Sequence, residues 1–191
     1  MVASAPCEDA VPILPEVGGA GKGWMQGRLE LMEMAVITFQ YDVPMETTMG
    51  FEGVYPVELQ MDLAAKEQLQ RVPGAIFVWM FVDGALAGES YGIPVDGFRD
   101  DMEGAELVED GGFYCYSNTI LPAFQGKGFG MVLKAHWLGL VAGKGFRVVY
   151  GHARPGASQG LNARFGVRFL GDFADWYGTG ETYRMYRLEL G

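Results

Sequence analysis

The segment best suited to chemistry is a glycine-rich turn over residues 125–130, Gln-Gly-Lys-Gly-Phe-Gly, with three glycines in five residues. The surrounding pattern predicts a strand over 112–121 and a helix over 128–142. Glycines let the backbone approach a ligand closely, and the first N–H groups of a helix have no partner within it. Because these groups and the helix dipole favour an anion, the turn predicts a site for a phosphate-bearing ligand.

Two common phosphate motifs do not fit this turn. The dinucleotide pattern G-x-G-x-x-G requires a glycine at the position of Met131 or of Leu133. The Walker A pattern requires Ser or Thr after a Gly-Lys pair, and none of the Gly-Lys pairs in the chain is followed by either. The turn therefore belongs to neither class of nucleotide loop.

Composition limits the classes of partner. The chain has 191 residues, of which 49% are hydrophobic and 20% charged, as in an ordinary globular domain. Its formal net charge of −10 opposes binding to the phosphate backbone of nucleic acid. Cys7 and Cys115 form no C-x-x-C pair, no apolar segment reaches membrane-spanning length, and no secretory leader is recognisable. We therefore expect a cytoplasmic protein that binds neither nucleic acid nor membrane.

Hydrophobic periodicity predicts one mixed α/β domain over residues 26–191, preceded by an extended or partly disordered arm over 1–25 that is rich in proline and glycine. The strongest local prediction is a β-hairpin, because two strand-like runs flank Asp83-Gly84. Gly143 is expected to cap the central helix. The predicted elements are strands over 29–43, 75–82, 85–93, 112–121, 146–150, 169–176 and 182–190, and helices over 57–72, 128–142 and 158–165.

An acidic segment separates the hairpin from the strand that leads into the turn. Residues 94–111 carry seven Asp and Glu side chains among glycines, which is typical of a solvated loop. The alternative is a collar that attracts a cationic substrate. Charge alone does not distinguish the two interpretations.

The turn resembles the signature Q/R-x-x-G-x-G/A of the GNAT superfamily of N-acyltransferases, with Gln125, Gly128 and Gly130 at the matching positions. Residues 119–124 are similar to that family's strand end followed by proline and an aromatic residue, and the order of elements over 29–190 agrees. The resemblance implies a twisted, mostly antiparallel sheet of six to seven strands flanked by helices, with strands four and five splayed apart. It also implies direct transfer of an acetyl group from acetyl-CoA to a primary amine in a ternary complex.

The resemblance further implies which residues hold acetyl-CoA. Backbone amides of the turn would bind the pyrophosphate, and the pantetheine arm would lie between strands four and five. On the short helix, Ser158 falls where the family has an asparagine that helps to hold the cofactor, and Asn162 is placed to bond the arm. Phe165 falls where the family often has a tyrosine. The implied set is Thr119, Ile120, Leu121, Gln125, Gly126, Lys127, Gly128, Phe129, Gly130, Met131, Ser158, Asn162 and Phe165.

The departure at Phe165 leaves the general acid unassigned, because the family's tyrosine can protonate the departing thiolate. Tyr177 and Tyr183, near the closing strands, are the alternative donors. Candidates for the general base lie before strand four and along it, where we expect three side chains to share one face. Cross-strand packing is the alternative role for the two tyrosines among them. These candidates are Glu106, Glu109, Asp110, Tyr114, Tyr116 and Asn118.

Two histidines remain. His152 follows strand five, where strand ends in such a fold face the cleft, and neutral imidazole can accept a proton near pH 7. His136 lies within the helix after the turn and is expected to be packed or at the surface. Neither has further ligands at suitable spacing, so we predict no metal site. The leading catalytic candidates are therefore Tyr177, His152 and Glu109.

The acceptor and the oligomeric state stay open, with a small-molecule or peptide amine and a homodimer compatible with the chain. Two other functions also stay open. A non-catalytic coenzyme A-binding sensor or interaction module on the same fold would explain the missing tyrosine. An unrelated α/β binding protein would use the glycine turn only to change chain direction.

Overall fold

A computed structural model describes residues 35–97, 99 and 102–191 of the chain, so the predicted arm over 1–25 lies outside the described residues. Its strands form a seven-stranded sheet in the order β1-β2-β3-β4-β5-β7-β6. The only parallel pair in this sheet is β4 with β5, as expected for a mostly antiparallel sheet. The strands are β1 (Ile37–Gln40), β2 (Ile76–Val82), β3 (Ala85–Pro94), β4 (Phe113–Ile120), β5 (Val148–Ala153), β6 (Arg168–Phe173) and β7 (Tyr183–Glu189).

Helices cover both faces of the sheet. Because side chains alternate along a strand, β2 buries Val78 beneath α3 and the neighbouring Trp79 against the opposite cover. We call these the α3 face and the α2 face. The α3 face carries α3 (Phe129–Gly143) and α4 (Ala157–Arg164), and the α2 face carries α1 (Met45–Thr48), α2 (Leu63–Gln70) and the segment that precedes β4.

A β-bulge in β4 re-aims the side chains of that strand. Tyr91 of β3 pairs with Ser117 and Gly92 pairs with Cys115, so Tyr116 is an extra residue. Glycine is required at position 92 because an added Cβ would lie 2.2 Å from the carbonyl oxygen of Tyr114. Beyond the bulge, each side chain of β4 therefore lies on the opposite face of the sheet from the one that simple alternation predicts.

The bulge overturns one prediction, that Tyr114, Tyr116 and Asn118 share a face of the strand. Tyr114 and Tyr116 do lie together on the α2 face, with ring centroids 5.1 Å apart. Asn118 instead lies on the α3 face, where its Nδ2 donates to the carbonyl of Gly130 at 3.5 Å. Simple alternation fails here because the extra residue shifts the phase of the strand by one position.

Strands β4 and β5 pair over only three residues. Phe113, Tyr114 and Cys115 lie opposite Val149, Tyr150 and Gly151, and the pairing then stops although both strands continue. Beyond this point β5 stays bonded to β7, while β4 stays bonded to β3. The predicted splay of strands four and five is therefore confirmed.

Several predicted boundaries shift. The predicted helix over 57–72 is shortened to α2, because Asp62 caps it by accepting from the Ala65 N–H at 2.8 Å. Gly143 ends α3 without capping it, since the left-handed residue is Gly145, with φ of 92°. Strand β5 runs to Ala153, three residues beyond its predicted end. The acidic segment is less solvated than predicted, since Val95, Met102 and Val108 are buried against the sheet.

Candidate functional site

The glycine turn lies directly between the end of β4 and the start of α3. Gln125 holds the turn against the end of β4, because its Nε2 donates to the carbonyl of Ile120 at 2.8 Å. Gly126 and Gly128 have φ of 76° and 84°, a left-handed conformation that glycine adopts without strain. The N–H groups of residues 126–130 have no acceptor within the part of the chain that the structure describes. The turn therefore presents a set of unpaired donors at the N-terminus of a 15-residue helix.

Other predicted members of this turn are already engaged. The Met131 N–H donates to the Gly128 carbonyl at 3.0 Å, so it belongs to the first turn of the helix. Lys127 is exposed, and its Nζ donates to the Ala123 carbonyl at 3.2 Å and lies 5.8 Å from the ring centroid of Phe124. Its charge stands beside the donors, where it adds to the positive potential of the helix N-terminus.

The part of β4 that does not pair with β5 leads directly to the turn. A Cβ placed on Gly130 would lie 3.7 Å from Ile120 of β4 and 3.8 Å from Leu161 of α4, so Gly130 occupies the narrow point between the two elements. The buried Oδ1 of Asn118 has no hydrogen-bond partner among the described residues. The N–H of Leu121, by contrast, donates to the Ala87 carbonyl at 2.9 Å. One buried polar atom beside the unpaired part of β4 therefore still lacks a hydrogen-bond partner.

A polar cluster lies on the α3 face near the point where β4 and β5 separate. Lys134 of α3 is 1% exposed, and its Nζ donates to Asn162 Oδ1 and to the Tyr186 hydroxyl. The Nδ2 of Asn162 donates to the Ser158 carbonyl at 2.9 Å, so both ends of this predicted cofactor-binding amide are bonded within the protein. The ring centroid of Phe165 lies 5.9 Å from Lys134 Nζ.

The same cluster reaches the point where β4 and β5 separate. A Cβ on Gly151, the last paired residue of β5, would lie 2.5 Å from the Tyr186 hydroxyl oxygen. Burial, with a smaller contribution from Cys115, raises the pKa of Tyr186 well above its usual value. Burial lowers the pKa of Lys134. The Lys134 ammonium and the Tyr186 hydroxyl therefore place polar hydrogens near the point where β4 and β5 separate. The position on α4 where the family often has a tyrosine holds Phe165, which has no such hydrogen.

On the α2 face, His152, the first residue of β5 beyond its pairing with β4, contacts Tyr114 from the paired part of β4. The Tyr114 hydroxyl and His152 Nδ1 are 2.8 Å apart. The buried Nε2 of His152 lacks a hydrogen-bond partner in the described ranges. Burial lowers the pKa of His152 from 6.5 to about 3, so the imidazole is neutral at physiological pH. The pair thus holds an oriented proton acceptor at the splay.

Aromatic rings enclose this histidine. Its ring stacks on Trp176 with centroids 3.9 Å apart and meets the edge of Phe173 at 5.0 Å. Tyr177 is 44% exposed and contacts the other side of Trp176, and Tyr183 stacks on the same indole at 5.8 Å. The structure thus brings His152, Tyr177 and Tyr183 around one tryptophan.

The predicted carboxylates lie elsewhere. Glu109 is an exposed side chain that forms an ion pair with Arg187, and hydrogen bonding from Arg187 lowers the pKa of Glu109. Asp110 pairs with Arg99 at 2.7 Å. Glu109 also contacts Tyr150 through its N–H, at the paired end of β4 and β5. These contacts separate Glu109 from His152.

A buried ion cluster and a hydroxyl chain on the α2 face were not predicted. Lys66 Nζ donates to Glu52 Oε1 at 2.9 Å and to both oxygens of Glu89, at 3.0 and 2.9 Å. The Tyr55 hydroxyl lies 2.5 Å from the hydroxyl oxygens of both Ser117 and Thr119. Two sequence features could have revealed the ion cluster, because each is a charged residue within an apolar pattern. They are Lys66 in the predicted helix and Glu89 in the predicted hairpin.

The carboxyl group of Glu89 has a raised pKa. Burial raises its pKa from 4.5 to about 7, and Lys66 opposes this rise. Its pKa would suit a general base. However, Glu89 is completely buried and both of its oxygens are held by Lys66, so a ligand does not reach them.

Residues 35–97, 99 and 102–191 contain no group of three or more His, Cys, Asp or Glu side chains that could hold a metal ion. Among the helices of these residues, none has the length and apolar character that a membrane crossing requires.

Solved structures share this fold at low sequence identity. A candidate acetyltransferase of the GNAT family from Desulfovibrio desulfuricans is 19% identical, with 81% of this chain and 99% of that chain covered and a TM-score of 0.58. Ard1 from Thermoplasma volcanium is 17% identical, with coverage of 81% and 99% and a TM-score of 0.65. NAA60 from Arabidopsis thaliana, solved with acetyl-CoA, is 13% identical, with coverage of 81% and 98% and a TM-score of 0.63.

No protein-family model and no curated protein sequence matches the chain. The likeness to these solved structures spans nearly the whole length of each neighbour. The chain therefore has the fold of the GNAT acetyltransferases, as the turn over residues 125–130 led us to expect.

Proposed function

We propose that this protein is an N-acetyltransferase that moves an acetyl group from acetyl-CoA to a primary amine. One observation carries the proposal: the unpaired N–H groups of residues 126–130 follow the part of β4 that has separated from β5, and this separation forms the cleft that we propose for the cofactor. The donors suit the pyrophosphate, and the cleft suits a narrow arm that ends at the splay. NAA60, which shares this fold, was solved with acetyl-CoA.

The proposed reaction needs positioning more than strong acids or bases. The amine nitrogen attacks the thioester carbonyl carbon, the carbon–sulfur bond breaks, and the electron pair leaves with sulfur. Holding the two reactants in contact supplies much of the rate. The cleft reaches the splay from the α3 face, and His152 stands at the splay on the α2 face, so the two substrates approach from opposite faces of the sheet.

His152 is the proposed proton acceptor. Its neutral imidazole is oriented by Tyr114, and its buried Nε2 has no hydrogen-bond partner among the described residues. Once the amine nitrogen has bonded to the carbonyl carbon it carries positive charge, and it then gives up a proton readily. Because its lowered pKa makes this imidazole a weak base, its proposed role is to relay the proton to solvent without holding it. Glu109 receives no role, because Arg187 occupies its carboxylate.

The acceptor class is a primary amine on a small molecule or a peptide. Tyr177 stands at the exposed edge of the aromatic group around His152, where it can contact an incoming amine. The coenzyme A-binding sensor is the second candidate, because Phe165 removes the phenol that the family often uses. Catalysis and binding must therefore be measured separately.

The proposal is tested by thiol release from acetyl-CoA with a panel of amines, together with the affinity for acetyl-CoA. Gly130→Val places a branched side chain between Ile120 and Leu161, so we expect at least about a tenfold weaker affinity from lost contact and a blocked cleft. Gly139→Val is the matched control, because it adds the same side chain to α3 where an added Cβ meets open space.

Three outcomes are informative. Turnover and binding that fail in Gly130→Val but persist in Gly139→Val support the acetyltransferase. Tight binding of acetyl-CoA without turnover on a broad amine panel favours the sensor. Equal affinity of the two variants and the unmodified protein contradicts the proposed location of the cofactor.

A further inference from the structure

Lys134 is a buried cation without an anionic partner. Its side chain is 1% exposed, and its Nζ contacts two neutral groups, Asn162 Oδ1 and the Tyr186 hydroxyl. Across residues 35–97, 99 and 102–191, no Asp or Glu oxygen lies within 4.0 Å of this nitrogen. Burying an unpaired charge is costly, because water is removed and no opposite charge replaces it. A bound ligand with negative charge would compensate this cost.

The neighbours of Lys134 locate such a ligand. Tyr186, which accepts from Lys134 Nζ at 3.2 Å, lies against Gly151 at the end of the β4–β5 pairing. Cys115, the partner of Gly151 on β4, is close enough to Lys134 to affect its charge. The ammonium therefore stands beneath the point where the proposed cleft ends, which is where the reactive end of coenzyme A would lie.

The phosphate end of the cofactor is a less suitable partner. The N–H groups of residues 126–130 and the exposed Lys127 already face the mouth of the cleft. Lys134 lies one turn further into α3 and points to Asn162 and Tyr186 instead. Its charge is thus directed toward the other end of the ligand, which carries sulfur.

We propose that Lys134 compensates the negative charge that forms on the sulfur of coenzyme A, a role that rests on the proposed acetyltransferase function. As the new carbon–nitrogen bond forms and the carbon–sulfur bond breaks, the electron pair remains on sulfur as a thiolate. The ammonium of Lys134 stabilises this thiolate through the hydroxyl of Tyr186, which accepts from Lys134 and can donate to sulfur. The amine proton passes by way of His152 to solvent, and the thiolate takes its proton from solvent.

This role explains how the proposed reaction can proceed with Phe165 on α4, at the position where the family often has a tyrosine. A phenylalanine cannot donate a hydrogen bond to sulfur, and the Lys134 ammonium supplies fixed charge at the same cluster, 5.9 Å from the phenyl ring. Lys134 acts on the equilibrium between thiol and thiolate, so we class it as a positioning residue. The titratable groups that face it are Tyr186 from β7 and Cys115 from β4, and α4 contributes neutral Asn162 and Phe165.

The test compares coenzyme A with desulfo-coenzyme A, which lacks the sulfur atom, by calorimetric titration of the full chain. Lys134→Met keeps the length of the side chain and removes the charge. We expect this variant to bind coenzyme A about tenfold more weakly near pH 9, where a thiol ionises, and to bind the desulfo analogue as the unmodified protein does. Lys134→Arg, which keeps the charge, is expected to retain part of the preference for coenzyme A.

The outcomes separate the two proposals. An equal loss for both ligands in Lys134→Met overturns the role in charge compensation. Failure of the unmodified protein to bind either ligand overturns the acetyltransferase function, and with it this inference. A further readout needs no variant: the affinity of the unmodified protein for coenzyme A relative to the desulfo analogue must rise as the thiol ionises above about pH 7, until the pH at which Lys134, whose pKa burial lowers, loses its proton. A ratio that is independent of pH contradicts the proposal.

Discussion

Two buried lysines stand on opposite faces of the same sheet with opposite surroundings. Lys66, on the α2 face, is fully buried between the carboxylates of Glu52 and Glu89. Lys134, on the α3 face, is equally buried and has neutral partners in Asn162 and Tyr186. The difference shows that burial of a charge does not by itself define a role, because the groups around the charge decide what it can still do.

Lys66 has no capacity left for a ligand. Its three hydrogen bonds join α2 to Glu52 of the 3-10 helix Met49–Val54 and to Glu89 of β3. Glu52 also accepts from the Met61 N–H at 2.9 Å, which completes the connection. We therefore interpret Lys66 as the residue that holds α2 against the sheet. Lys134, in contrast, is placed to pair with an anionic group of a ligand.

Removing each lysine in turn should produce the largest difference. Lys66→Met leaves two buried carboxylates without a cation, so we expect the free energy of unfolding to fall by about 3–5 kcal/mol. Lys134→Met removes a buried charge that has no counter-ion but leaves Asn162 Oδ1 without its donor, so we expect a smaller loss. Urea unfolding at neutral pH measures both variants. Similar losses of stability in the two variants would contradict the contrast between the lysines.

The histidine on the α2 face should affect turnover more than stability. His152→Phe keeps an aromatic ring against Trp176 and removes the proton acceptor, so we expect kcat to fall by about a hundredfold or more. Tyr114→Phe, which leaves the imidazole in place without its hydroxyl partner, should have a smaller effect. Steady-state rates at saturating acetyl-CoA, with an amine that the unmodified protein accepts, measure both.

The same histidine predicts a pH profile. Burial lowers its pKa from 6.5 to about 3, so the imidazole remains neutral as the pH falls through 6.5. Loss of kcat on the acidic side should therefore not follow a titration near pH 6.5. A decline of kcat centred near that pH, absent from His152→Phe, would show that His152 titrates as an exposed histidine does.

Glu89 should give the smallest effect, visible as a dependence of stability on pH. Burial raises its pKa from 4.5 to about 7, so the folded protein holds a proton that the unfolded chain has released. Its contribution to stability is full below about pH 4.5 and is lost as the pH rises to about 7. Glu89→Gln mimics the protonated side chain, so this variant should gain stability relative to the unmodified protein over that interval.

Urea unfolding at several pH values from 4.5 to 7 measures this difference. Glu67→Gln, on the same helix as Lys66 but paired with the exposed Arg71, is the matched control. Parallel pH curves for Glu89→Gln and the unmodified protein would mean that Glu89 stays ionised in the folded state.

Much of the fold could be predicted because it follows from local patterns. The hairpin around Asp83-Gly84 and the strand, turn and helix around residues 125–130 have distinct periods and turn residues, and the structure contains them. The splay of β4 and β5 came only from the resemblance, since it depends on which strands become neighbours. The bulge at Tyr116 was missed because it depends on a fit between Gly92 and the Tyr114 carbonyl, which are far apart in sequence.

The site was predicted unevenly for the same reason. The turn is continuous in sequence, so its residues could be named in advance. The clusters around Lys66 and Lys134 each join residues from three elements, and no spacing of residues in the sequence indicates these contacts. His152 was named from its place after a strand, but its pairing with Tyr114 required the register of β4 and β5.

A crystal structure with bound coenzyme A tests the central claim most directly. The account predicts phosphate oxygens within hydrogen-bond distance of the N–H groups of residues 126–130, and the sulfur atom where β4 and β5 separate, between Lys134 on one face and His152 on the other. A cofactor bound elsewhere on the chain would contradict the account. So would a sulfur atom distant from both side chains.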